Sequence, residues 1–124
     1  MEAEALNTSA VIAGAVLAFL FGAVLYHPKV LGRIWAEGSG VELDGSMPVM
    51  AMVLQAAGLL ALALVVGLTA TLNLLGTAIL AILAVLLFVA AMGAFVRKSN
   101  GAILTDVLFV LVSGVLMIGT QGVL

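Results

Sequence analysis

Four stretches of this chain each run for about 20 residues with almost no charge, the length an α-helix needs to cross roughly 30 Å of hydrocarbon. They are Thr8–Tyr26, Pro48–Ala70, Gly76–Phe95 and Gly101–Gln121, and the only formally charged side chain inside them is Asp106. Soluble proteins average about 45–50% apolar and about 25% charged residues. Here the figures are 65% and 8%, with a mean hydropathy of +1.41. Six acidic and four basic side chains could not cover the surface of a 124-residue soluble domain, so the bilayer is the expected solvent. The expected fold is an all-α integral membrane protein with one transmembrane domain over residues 1–124. Its four spans would form two hairpins, with a short interfacial amphipathic helix between the first and second.

The chain has no cysteine, which removes disulfides, thiolate chemistry and cysteine metal sites. A formal charge of −2 argues against nucleic acid, which calls for a basic footprint. Glu2 and Glu4 precede the first apolar run and no Lys or Arg does, so that run lacks the positive start of a secretory signal and is expected to stay in the mature chain.

The first long polar segment is residues 27–47. Pro28 suits the first turn of a helix. At helical spacing, Val30, Leu31, Ile34 and Trp35 fall on one face while Arg33 and Glu37 point elsewhere. Such a helix would lie in the headgroup layer with Trp35 as its anchor, ended by Gly38-Ser39-Gly40. Asp44 or Ser46 could cap the second span. The gap 71–75 is short and weakly polar, which implies a tight antiparallel hairpin, while Arg97-Lys98-Ser99-Asn100-Gly101 is a stronger break.

Lysine and arginine set orientation in short loops. Lys29 and Arg33 follow the first span, and Arg97 and Lys98 follow the third. An even number of crossings separates these loops, so they share one side. The expectation is a multi-pass cell-membrane protein with loops 27–47 and 96–100 cytoplasmic and both termini outside. Tyr26, Trp35 and Phe95 would be the aromatic anchors at that interface.

Two constellations stand out. Ala10, Gly14, Ala18 and Gly22 recur every four residues, a stripe that lets helix backbones approach in lipid. It reads as a homodimer seam or as intrachain packing, with Ala63, Gly67 and Thr71 as the natural partner in the second case. Asp106, followed by Ser113 and Thr120 at i+7 and i+14, gives the last span one polar stripe. A carboxylate there marks a proton, cation or solute pathway, or else a structural group paired with Arg97, Lys98 or a cytoplasmic donor. His27, the only histidine, sits where the first span ends and reads as a proton-transfer group or a helix-end anchor. No nucleophile–base pair, metal-ligand set or nucleotide motif is visible, so no enzyme activity, cofactor or metal is expected. The expected partners are membrane lipids and either a second copy or another membrane protein.

The segment Gly22-Ala23-Val24-Leu25-Tyr26-His27-Pro28, with Gly32 and Trp35, resembles the GxxWYxP…GxxW signature of the DUF1761 family. Leu25 stands where that signature has Trp. Leu111-Val112-Ser113-Gly114-Val115-Leu116-Met117-Ile118-Gly119 resembles the same family's LVSxxLMG-type closing segment. The resemblance implies a four-helix membrane protein and carries no activity with it. The expected function is a small non-enzymatic membrane protein that works as a homo-oligomer or as a subunit of a larger assembly. The alternative is a small transporter or channel using Asp106, Ser113 and Thr120.

Overall fold

A computed structural model describes residues 5–42 and 48–124 of the chain. The expected caps Asp44 and Ser46 lie outside the described residues. Helix α1 spans Thr8–Leu25, a single π-helical turn follows over Pro28–Gly32, and α2 covers Arg33–Ser39. Three long helices complete the chain: α3 (Val49–Thr71), α4 (Leu75–Phe95) and α5 (Asn100–Val123). Helices α1, α3, α4 and α5 are each long and apolar enough to cross a membrane. No strand occurs among the described residues.

The starts and stops of these helices follow local chemistry. Asn7 caps α1 by accepting from the Ala10 amide at 3.0 Å, and Ser99 caps α5 by accepting from the Ala102 amide at 3.1 Å. Three helices end alike, with a left-handed residue that folds the chain back onto the last turn. Gly40 does this for α2, Asn73 for α3 and Arg97 for α4, at φ 70, 56 and 61. At the α4 end the Lys98 amide donates to the Gly93 carbonyl at 2.9 Å. Glycine and asparagine tolerate this region, whereas a β-carbon bearing a long side chain is strained there. Arg97 accepts that strain, and the reversal it creates directs Lys98 back over the bundle.

In the core, α1 lies on α5. Ala10, Gly14, Ala18 and Gly22 are all buried, and so are Thr105, Phe109, Ser113, Met117 and Thr120 on the facing side of α5. A β-carbon on Gly14 would stand 3.1 Å from the Met117 Cα, and one on Gly22 would stand 2.7 Å from the Phe109 ring. Helices approach this closely only where the side chain is a hydrogen. The stripe's main partner is therefore α5, not the expected Ala63–Gly67–Thr71 row of α3. Gly67 instead faces Val11 and Leu6 at the far end of α1.

The segment after α1 departs from a regular amphipathic helix. Its π turn widens the first loop of backbone, because Gly32 packs directly on the Tyr26 carbonyl where no β-carbon would fit. The extra backbone per turn rotates the face deduced from a 3.6-residue period. Val30 and Ile34 remain exposed while Leu31 and Trp35 turn toward the protein, and α2 packs against the start of α5. The Ser99 amide donates to the Gly38 carbonyl at 2.9 Å, tying the two basic loops together at one end of the bundle.

Candidate functional site

At that end, four side chains from separate parts of the chain converge. Asp106, one and a half turns into α5, receives the Tyr26 hydroxyl on Oδ1 and the Lys98 ammonium on Oδ2 at 2.9 Å. Tyr26 also meets the Trp35 ring edge to face at 5.3 Å and the Phe109 ring at 5.7 Å. The Lys98 Nζ lies 5.5 Å from the Trp35 ring centre. Carboxylate, phenol, ammonium and indole thus form one contiguous polar cluster among apolar helices. Trp35 Nε1 is buried and has no hydrogen-bond partner among the described residues.

Two cavities flank this cluster and share Tyr26, Gln55 and Asp106. One, of about 400 Å³, lies between α1 and α3 and is walled by Phe19, Trp35 and Met52. The other, of about 430 Å³, runs between α3, α4 and α5 past Leu59, Leu62 and Val85 to Ser113. Ser113 is fully buried, and its hydroxyl has no partner among the described residues. Serines inside helices commonly bond back to the carbonyl one turn earlier, as Thr69 and Thr105 do here. A polar atom that is both buried and unbonded is costly in any protein interior and more so in lipid.

Further along the same three-helix groove the packing closes. Ile82 of α4 sits on Gly114 of α5, where a β-carbon would stand 2.6 Å from the isoleucine Cδ1, and Met117 is buried beside them. Beyond this pinch, a third cavity of about 330 Å³ opens at the opposite end of the groove, lined by Thr69, Asn73 and Gln121. Two recesses therefore lie along α3, α4 and α5, with the Ile82–Gly114 contact between them.

The residues singled out from sequence divide between these features. Asp106 and Ser113 line the same cavity. Thr120, grouped with them by its spacing, is held elsewhere: its hydroxyl donates to the Ala10 carbonyl at 3.1 Å and approaches that of Met117 at 2.9 Å, within the α1–α5 seam. His27 is exposed, and its Nδ1 accepts from the Lys29 amide at 3.1 Å, so it caps the π turn away from Asp106. Phe95 is exposed at the end of α4, whereas Tyr26 and Trp35 are half-buried walls of the site. Gln55 borders both cavities. The described residues contain no cluster of three or more His, Cys, Asp or Glu side chains.

Comparison with known proteins places these features in context. A family model described as "Protein of unknown function (DUF1761)" matches residues 9–121, nearly the whole chain. No curated protein and no solved structure matches. The first of the two segments that carry the family resemblance packs on α5 just ahead of the second, through Gly22 on Phe109 and Tyr26 on Asp106.

Proposed function

The chain belongs to the DUF1761 family, and from the geometry above we propose that it is a small non-enzymatic transporter that binds its solute beside Asp106. The supporting observation is the pair of recesses along α3, α4 and α5, with the packed contact of Ile82 on Gly114 between them. A protein that passes a solute by alternating access needs a site, a barrier and a second opening, and this arrangement supplies all three. An open channel fits poorly, because Met117 and the α1–α5 seam close the interior. The polar pathway of this reading includes Tyr26, Gln55, Asp106 and Ser113 and omits Thr120. The loops bearing Lys29, Arg33, Arg97 and Lys98 face the cytoplasm in this reading, so the Asp106 end of the groove lies on that side.

Reconstituted into liposomes, the chain is expected to give solute or proton flux under an imposed pH or cation gradient. Folded protein with no flux under either gradient would overturn the transporter reading.

A second reading, assembly with further copies or with another membrane protein, is favoured by the outer helices. Large apolar side chains of α4 such as Leu80, Phe88 and Met92 face outward, and α3 likewise buries little of its surface. Native mass spectrometry in mild detergent distinguishes the two: a defined complex supports assembly, and a monomer retaining flux supports transport.

A further inference from the structure

We propose that the groove between α3, α4 and α5 takes a slender organic ammonium. Its nitrogen would sit on the Asp106 carboxylate and a hydrogen-bonding group further along its chain would meet Ser113. This deepens the solute-binding reading above and rests on it.

The head of the site is chosen by charge. Asp106 is 14% exposed, and its carboxylate is bordered by the Trp35, Tyr26 and Phe109 rings. A carboxylate among aromatic faces suits a cation, through ion pairing and through the negative faces of the rings. The protein's own Lys98 ammonium already demonstrates that fit, at 2.9 Å from Oδ2 and 5.5 Å from the Trp35 ring centre. Lys98 comes from the rim on a flexible stem and is 23% exposed, so when displaced it returns to water with its charge solvated. Exchange of one ammonium for another leaves the buried charge balance unchanged. An anionic solute would instead face Asp106, and a neutral one would have to displace an ion pair with a weaker bond.

The far end is chosen by an orphan. Ser113 lies seven residues beyond Asp106 on the same helix face, about 10 Å along the axis. Its side chain is fully buried and lines the groove, and its hydroxyl has no partner among the described residues. Between the two the lining is largely apolar, Leu59, Leu62, Val85 and Val110 among it, with Gln55 an added polar group. Exposed Gly58 and Val85 leave the groove open between α3 and α4, toward lipid. A chain of methylenes carrying an amine at one end and a hydroxyl at the other matches this order of polar, apolar, polar. A cavity of about 430 Å³ is within the usual range for small-molecule sites.

Trp35 is the only tryptophan and borders Asp106, so its fluorescence reads binding directly. The chain in lipid nanodiscs is titrated with ω-aminooctanol, octylamine, octanol and octanoate. Saturable binding is expected for both amines, tightest for the aminooctanol. Lys98→Gln, which removes the tethered competitor, should tighten both amines about fivefold. Asp106→Asn should weaken them about tenfold or more. Ser113→Ala should erase the advantage of aminooctanol over octylamine while leaving octylamine unchanged. Equal binding of octanol and octylamine would overturn the ammonium assignment while leaving the groove as a solute site. Weaker amine binding in Lys98→Gln would also overturn it, and that variant keeps the test decisive if Asp106→Asn fails to fold. No saturable response to any probe would overturn both the ligand class and the site.

Discussion

The Tyr26 hydroxyl and the Asp106 carboxylate are joined by a hydrogen bond between residues 80 positions apart in the chain. It fastens the end of α1 to α5 at the depth where the two cavities meet. Lys98 reaches the same carboxylate from the rim. The two bonds differ in environment, and so should their energies. A hydrogen bond to a charged group away from water contributes about 1.5–3 kcal/mol, and a partly exposed ion pair about 1 kcal/mol or less. Double-mutant cycles from thermal unfolding in detergent are expected to give a larger coupling for Tyr26→Phe with Asp106→Asn than for Lys98→Met with Asp106→Asn. The reverse order would mean that the rim ion pair, rather than the phenol, holds the carboxylate.

The close approach of α1 and α5 gives a second expectation. Gly14→Leu and Gly22→Leu place bulk against Met117 and Phe109, where overpacking costs about 1–3 kcal/mol or prevents folding altogether. Val16 is 50% exposed on the opposite side of α1, so Val16→Leu should leave the unfolding temperature unchanged. Because the seam lies within one chain, the loss should appear as lowered stability of the single protein. A change of oligomer size at unchanged stability would assign the stripe to an intermolecular seam instead.

Orientation is checked by labelling. With the four basic residues at one end of the bundle, cysteines at Ala5 and Leu124 should react with an impermeant maleimide added to intact cells. A cysteine at Asn100 should react only after permeabilisation. The opposite pattern would invert the topology.

The pinch between the two recesses makes a further claim. Ile82→Ala removes the side chain seated on Gly114 and should speed dissipation of a gradient across liposomes. Truncating a buried isoleucine also costs about 2–5 kcal/mol in stability, so unfolding is measured on the same preparation. Unchanged flux in a folded Ile82→Ala protein would show that the barrier lies elsewhere.

The four spanning helices were legible because a bilayer demands long uncharged runs, and few other folds tolerate them. The hairpin at Asn73 and the break at Arg97 also follow from local composition. Lys98 was one of two basic candidates for Asp106, since a partner eight residues away shares the same helix end. Tyr26 was not legible as a partner, because nothing in a sequence marks which distant phenol will face a carboxylate once helices pack. Thr120 shows the limit of the wheel: it shares a face with Asp106 and Ser113, yet α1 crosses there and takes its hydroxyl. The partner of the glycine stripe was missed for a related reason. The facing surface of α5 mixes Ser113, Met117 and Phe109 instead of repeating small residues, so periodicity pointed to α3. Gln55 carried no signal in sequence, since its role comes only from standing between two cavities.

The two bonds on Asp106 also differ in when they can form. Lys98 belongs to the same helical hairpin, eight residues upstream, whereas Tyr26 caps the end of α1, 80 residues away. A carboxylate at a helix centre adds about 2.5–3.5 kcal/mol to membrane insertion, less near an end. Short-range contacts form before long-range ones because less chain must be closed. The α4–α5 hairpin can therefore enter the bilayer with its one charge already neutralised from within, and the link to α1 closes afterwards. The expected order of biogenesis is that the α4–α5 hairpin inserts with Asp106 already paired to Lys98, and the bond to Tyr26 forms as the bundle assembles.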